Sequence, residues 1–85
     1  VIGFEDPQFD GIVKIGVTNN IDKRLKTLQT GCPWRLEVKG MVYRTDSFQY
    51  ETWLHDHFHK QRIRSDGEWF QFPPGTDPVS IVARA

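Results

Sequence analysis

One cysteine, Cys32, is all the thiol chemistry these 85 residues hold. No internal disulfide is possible and a four-thiolate zinc site is excluded, so the fold must stand without cross-links, as suits a reducing intracellular compartment such as cytoplasm, nucleoid or nucleus. Long apolar runs are also missing. A membrane-spanning helix needs about 20 consecutive apolar residues, and no charged-then-apolar leader stands at the start, so the sequence reads as soluble, with no membrane partner. Net charge is zero, from 11 basic and 11 acidic residues. That total argues against a general nucleic-acid binder, because phosphate binding draws on Lys and Arg. There is no initiator Met, no internal repeat and no low-complexity stretch. The chain reads as one domain, residues 1–85, excised from a longer protein whose other domains are its expected partners.

What is present is aromatic bulk and segregated charge. Three Trp, two Tyr and six Phe must do much of the packing. Between residues 12 and 45, seven basic residues (Lys14, Lys23, Arg24, Lys26, Arg35, Lys39, Arg44) face two acidic ones (Asp22, Glu37), a surplus of five. Charge sorted in this way gives one face a positive potential, and the phosphate backbone of DNA becomes an admissible partner despite the neutral sum.

Val1–Phe4 and Ile12–Val17 are short apolar stretches separated by the turn formers Pro7 and Gly11, which predicts a β-hairpin with an irregular connection. Thr18-Asn19-Asn20 offers helix caps, and Ile21, Leu25 and Leu28 recur at helical spacing until Gly31 and Pro33. Leu36–Tyr43 alternates as a third strand, with Gly40 a candidate bulge. Asp46 or Ser47 caps a second helix running to about Lys60, and at 100° per residue Phe48, Glu51, Leu54, His55 and Phe58 share one side. Beyond the Ser65-Asp66-Gly67 turn, Glu68–Phe72 reads as a short strand or extended cover before Pro73-Pro74, and 73–85 is a C-terminal tail. The expected architecture is α+β, in the order β-β-α-β-α plus a short extended segment, with helices on a small, mainly antiparallel sheet.

Glu51 and His55 interrupt the apolar stripe of the second helix. An ionised carboxylate seldom stays there unless something binds or pairs with it. Two readings are open: a buried ion pair with Arg24 or Lys14, or a ligand for a hard divalent cation, which takes one or two carboxylates and fills its shell with water and phosphate oxygens. His55, one turn on, either makes a structural hydrogen bond or orients Glu51, binds phosphate or shuttles a proton. A joint His55/His57/His59 metal site is disfavoured because alternate helical residues diverge. Arg24 belongs to a solvated charged face or offers a planar guanidinium to a phosphate. Lys23, Lys26 and the Thr18 hydroxyl are the candidate substrate-binding groups beside it, with an N-cap as the simpler role for Thr18. Lys14, a lone cation between Val13 and Ile15, points either to solvent or into the site as phosphate ligand or proton acceptor. Gly16 permits close backbone approach, Trp69 and Phe70 read as packing residues, and Glu68 as a local ion-pair partner.

Five pieces in order, Val13-Lys14-Ile15-Gly16-Val17-Thr18, Arg24-Leu25, Leu28-Gln29-Thr30-Gly31-Cys32-Pro33, Glu51-x-x-Leu54-His55-x-x-Phe58 and Gly67-Glu68-Trp69-Phe70, resemble the GIY-YIG nuclease superfamily. The similarity is to the branch of the meiotically up-regulated gene 113 and phage open-reading-frame 172 domains, over about residues 1–72. The resemblance implies a three-stranded antiparallel sheet flanked by helices and metal-dependent endonuclease hydrolysis of DNA phosphodiesters. It implies one divalent cation, Mg²⁺ or Mn²⁺, on Glu51, with Arg24 as the catalytic arginine. Lys14 falls at the head of the second signature tripeptide, where Lys is usual in this branch, and His55 follows the branch pattern. The Tyr of the first signature tripeptide has no counterpart in Val1-Ile2-Gly3-Phe4, and Leu28 stands where other branches often carry His or Tyr. The alternative expectation is a catalytically inactive DNA-binding or targeting module on the same fold.

Overall fold

The computed structural model describes residues 1–42, 44–64, 67–73 and 75–85. Its elements are β1 (Ile2–Phe4), β2 (Ile12–Lys14), α1 (Ile21–Thr30), β3 (Leu36–Val38), α2 (Ser47–His57), β4 (Trp69–Gln71) and α3 (Pro78–Arg84), with single 3₁₀ turns at Pro7–Phe9 and His59–Gln61. The sheet order is β3-β1-β2-β4, antiparallel throughout. The α+β class and the three expected strands are present, and Glu68–Phe72, left between strand and cover, contributes β4 as a fourth.

Strand alternation sorts the two faces. Val13 pairs with Phe70 in register and Lys14 with Trp69. Val13 and Phe70 turn to the main core with Ile15, Leu54, Phe58, Phe72 and Val82, whereas Lys14 and Trp69 lie on the opposite face, where Trp69 stacks on Phe4 at 5.5 Å between ring centroids. Helix α1 packs against β3. The Asn20 side chain caps α1 by accepting from the Lys23 N–H at 3.1 Å. Gln29 then guides the exit, its amide donating to the Trp34 carbonyl at 2.9 Å and accepting from the Leu36 N–H at 2.7 Å. The side chain thereby fixes where β3 begins.

Several sequence expectations need correction. The third strand stops at Val38, and Gly40 is not in a bulge: a Cβ there would lie 2.8 Å from Val79 Cγ1, so its bareness lets α3 approach. Tyr43, Ser65, Asp66 and Pro74, which fell in the expected strand, turn and stop signal, lie outside the described residues. Asp46 occupies the N-cap position of α2 but makes no side-chain capping hydrogen bond. Asp46 instead grips Arg44 through two hydrogen bonds of 2.7 and 2.8 Å, and the Ser47 hydroxyl donates to the Arg44 carbonyl at 3.1 Å. The helix ends at His57, short of Lys60. Phe48 is 76% exposed and does not join the apolar stripe. Segment 73–85 holds α3, capped by Asp77, opened by Pro78 and anchored by buried Val82.

Gly11 sits at φ +92°, where a Cβ would stand 2.5 Å from the Phe72 carbonyl oxygen, and its own carbonyl accepts from the Phe72 N–H at 2.8 Å. Gly11→Ala therefore meets both backbone strain and a clash. A loss of about 2 kcal/mol is expected in urea unfolding, against under about 1 kcal/mol for Gly31→Ala, which has open space.

Candidate functional site

The C-terminal end of β2 is where the polar residues meet. Beyond Lys14 the chain continues through Ile15, held by its N–H donating to the Glu68 carbonyl at 3.0 Å, to Gly16, where a Cβ would lie 3.5 Å from Glu68 Oε2. That is ordinary van der Waals contact, so the Glu68 carboxylate lies directly against the strand end. Helix α1 brings Arg24, α2 brings Glu51 and His55, and the residue before β4 brings Glu68.

Glu68 is the hub. Its Oε2 stands 2.6 Å from Lys14 Nζ and 3.7 Å from Arg24 Nη2. The Lys14 side chain is only 11% exposed, so it does not point to open solvent. Burial works against an ionised Glu68, but the hydrogen bond and charge of Lys14, followed by the charge of Arg24, outweigh it and hold the carboxyl below its ordinary range. Glu51 behaves oppositely. Burial pushes its carboxyl up, the adjacent Glu68 pushes the same way by charge and by a shared hydrogen bond, and His55 and the Val17 N–H offset only part.

This arrangement corrects two expectations. Glu51 does not pair with Arg24 or Lys14; both cations go to Glu68, and the imidazole of His55 stands beside Glu51, with 3.8 Å between Oε1 and Nε2. Nor does Glu68 pair locally, since its partners come from other elements.

His55 is braced at both nitrogens. Nε2 lies 2.8 Å from the Ile15 carbonyl and Nδ1 3.4 Å from Arg62 Nη2. A carbonyl can only accept and a guanidinium can only donate, so these neighbours select the tautomer with its proton on Nε2. Arg62 also donates from Nε to the Gly67 carbonyl at 2.6 Å, tying His55 to the backbone just before Glu68. His57 instead stacks on Trp53 at 4.8 Å and His59 Nδ1 faces the Asp56 carbonyl at 2.9 Å; among the described residues no three His, Cys, Asp or Glu side chains gather as a metal cluster.

Lys14, Arg24, Glu51 and His55 are thus brought to one strand end. Lys23 and Lys26 are exposed on α1, and at 100° per residue Lys26 points about 160° away from Arg24, so neither joins the ion-pair cluster. The Thr18 hydroxyl accepts from the Asn20 N–H at 3.1 Å and donates to the Asn20 carbonyl at 3.2 Å, a local turn that prepares the α1 cap. A groove of about 480 Å³ opens beside Glu51, with Thr18, Ile21, Tyr50 and Arg44 in its walls and apolar residues of α3 as its floor.

Sequence reasoning missed Glu68 and Arg62 as members of the site. Glu68 carried one signal, a charge directly before the Trp69-Phe70 pair of an otherwise apolar strand; Arg62 carried none.

Residues 1–82 match the family model of the T5orf172 domain. No curated protein and no solved structure matches the chain.

Proposed function

We propose, starting from the fact that the chain belongs to the T5orf172 domain family, that its strand-end cleft hydrolyses DNA phosphodiesters as a GIY-YIG-type endonuclease. Membership makes the chain a nuclease-like or DNA-binding module; hydrolysis is the further step. The observation that carries it is the convergence at one strand end of Lys14 and Arg24, both paired with Glu68, and of Glu51, whose carboxylate adjoins Glu68, delivered by three different elements.

The donor set suits a hard divalent cation such as Mg²⁺ or Mn²⁺. Glu51 is 20% exposed at the groove wall and a second carboxylate adjoins it, and such ions take one or two carboxylates with water completing the shell. Glu51 would hold the ion, which when bound polarises a phosphoryl oxygen and acidifies its water. The chain's own residues supply the rest. Arg24 presents a delocalised, permanently charged fork to the non-bridging phosphate oxygens, where charge builds in the transition state. Lys14, as an ion-paired ammonium, suits a second phosphate contact. His55 braces the Ile15 carbonyl and so fixes the strand end from which Lys14 projects.

Supercoiled plasmid incubated with the domain and Mg²⁺ or Mn²⁺ tests the reading. Nicking that stops with chelator and slows by about 10²- to 10³-fold in Arg24→Ala is expected. Cleavage at the wild-type rate in that variant would sink the assignment. Tight binding without cleavage, falling steeply with salt, would instead select the inactive DNA-binding module, which the full ion pairing of both cleft cations also favours.

A further inference from the structure

We infer that Glu68 is a positioning residue of this cleft, holding Lys14 and Arg24 in the separation and orientation at which they grip one phosphate. The inference rests on the reading of Lys14 and Arg24 as phosphate ligands. Two long cationic side chains from different elements converge on a single oxygen, Glu68 Oε2, at 2.6 and 3.7 Å. Without that oxygen they face each other as like charges, and Lys14, almost enclosed, loses its ion-pair partner.

Glu68 is built to hold still. Its carbonyl accepts from the Ile15 N–H at 3.0 Å, the preceding carbonyl, of Gly67, accepts from Arg62 Nε at 2.6 Å, and the Lys14–Trp69 register of β4 on β2 sets the carboxylate beside the ammonium. Preorganisation of this kind matters because a misplacement of about 1 Å in a site can cost about 10²-fold in rate.

The carboxylate leaves one oxygen, Oε1, outside both ion pairs, and each cation has further donors. A phosphate can therefore enter over Arg24, the more exposed of the two cations, and reach the enclosed Lys14 beside it while Glu68 remains behind them. Glu68 itself touches no reacting atom in this scheme.

A double-mutant cycle between positions 68 and 14 separates this role from general structural support. Glu68→Gln is expected to slow single-turnover plasmid cleavage about 30-fold, Glu68→Asp to recover part of that loss, and Glu68→Gln placed on Lys14→Met to cost under about 3-fold more. Equal cost in both backgrounds overturns the inference, as does faster cleavage in Glu68→Gln, which would make the carboxylate a phosphate stand-in that blocks the site. If the wild type binds duplex DNA without cutting it, the nuclease reading fails, and the same cycle is read as Kd for a short duplex, with the same non-additivity expected. A third readout needs no DNA: ¹⁵N relaxation of the Arg24 Nε–H should show lower order in Glu68→Gln than in the wild type, and unchanged order overturns the inference.

Discussion

Glu51→Gln is expected to abolish cleavage, by about 10³-fold or more, and at the same time to raise the thermal stability of the metal-free domain at pH 7. The first effect follows from removing the charged oxygen that would hold the cation, a contribution of several kcal/mol to the barrier, where each 1.36 kcal/mol is a factor of ten. The second follows from the direction of the Glu51 shift. Burial, then the Glu68 carboxylate, raise its folded-state pKa above the unfolded value, so the folded protein holds this proton more tightly than the unfolded chain. As pH rises from the unfolded value through the folded one, Glu51 ionises in a place that disfavours charge, and stability falls. Glutamine removes that cost. The gain in Tm should be largest near neutrality and shrink as pH drops below the ordinary carboxylate range. Glu68 has the opposite sign. Its depressed pKa means that its stabilisation is present above the unfolded value and is lost as pH falls through the folded one, so Glu68→Gln should lower Tm at pH 7 and the gap should close in acid. Paired melting curves at pH 3, 5 and 7 in chelator measure both. A Glu51→Gln variant less stable than wild type at pH 7 would show that the carboxylate is a structural partner, not one held at a cost for function.

The opposite signs of these two carboxylates also show what could and could not be read from the chain. Glu51 was legible because it breaks a helical stripe at i, i+3, i+4 and i+7 with Leu54 and Phe58, both of which are buried; local periodicity encodes that. Arg24 was legible only through the family resemblance, since Lys23 and Lys26 beside it look the same in sequence and differ only in which way the helix turns them. Glu68 was legible only as a charge ahead of Trp69-Phe70 and was read as a local ion-pair partner, not as a site residue. Its partners lie more than forty positions away, and only the β4-on-β2 register brings them together. The fold divides in the same way. Strand alternation and the α1 stripe placed β1, β2 and α1, although β2 ends at Lys14 and not at Val17, whereas the end of β3 and the exposure of Phe48 depend on what packs against them. Helix α3 carried the cap-plus-proline signal Asp77-Pro78, but Pro73-Pro74 ahead of it read as a stop before a tail.

Phe70→Ala is expected to cost about 3–5 kcal/mol, the usual range for deleting a buried aromatic ring, and for a domain of this size that is most of its stability. Phe70 is 0% exposed and is the largest fully buried side chain. It pairs with Val13 across the sheet, bridges to Arg62, and packs at 5.1 Å between ring centroids against His55, the residue that braces the Ile15 carbonyl at the strand end. With about 4–8 °C of Tm per kcal/mol for a chain this short, the melting midpoint should fall by about 15 °C or more. Size alone does not produce this, as Trp53→Ala provides the control: Trp53 is 45% exposed and stacks only on the helix surface, on Tyr50 at 6.3 Å and His57 at 4.8 Å, so its removal should cost under about 1 kcal/mol. Urea midpoints for the two variants decide the matter, and a Phe70→Ala loss no larger than that of Trp53→Ala would contradict a core centred on β4. The same ring joins stability to the cleft. In Phe70→Leu, which keeps apolar volume but not the flat face against the imidazole, cleavage should fall more than the folded fraction does, because His55 and the β2 end it holds lose their backing.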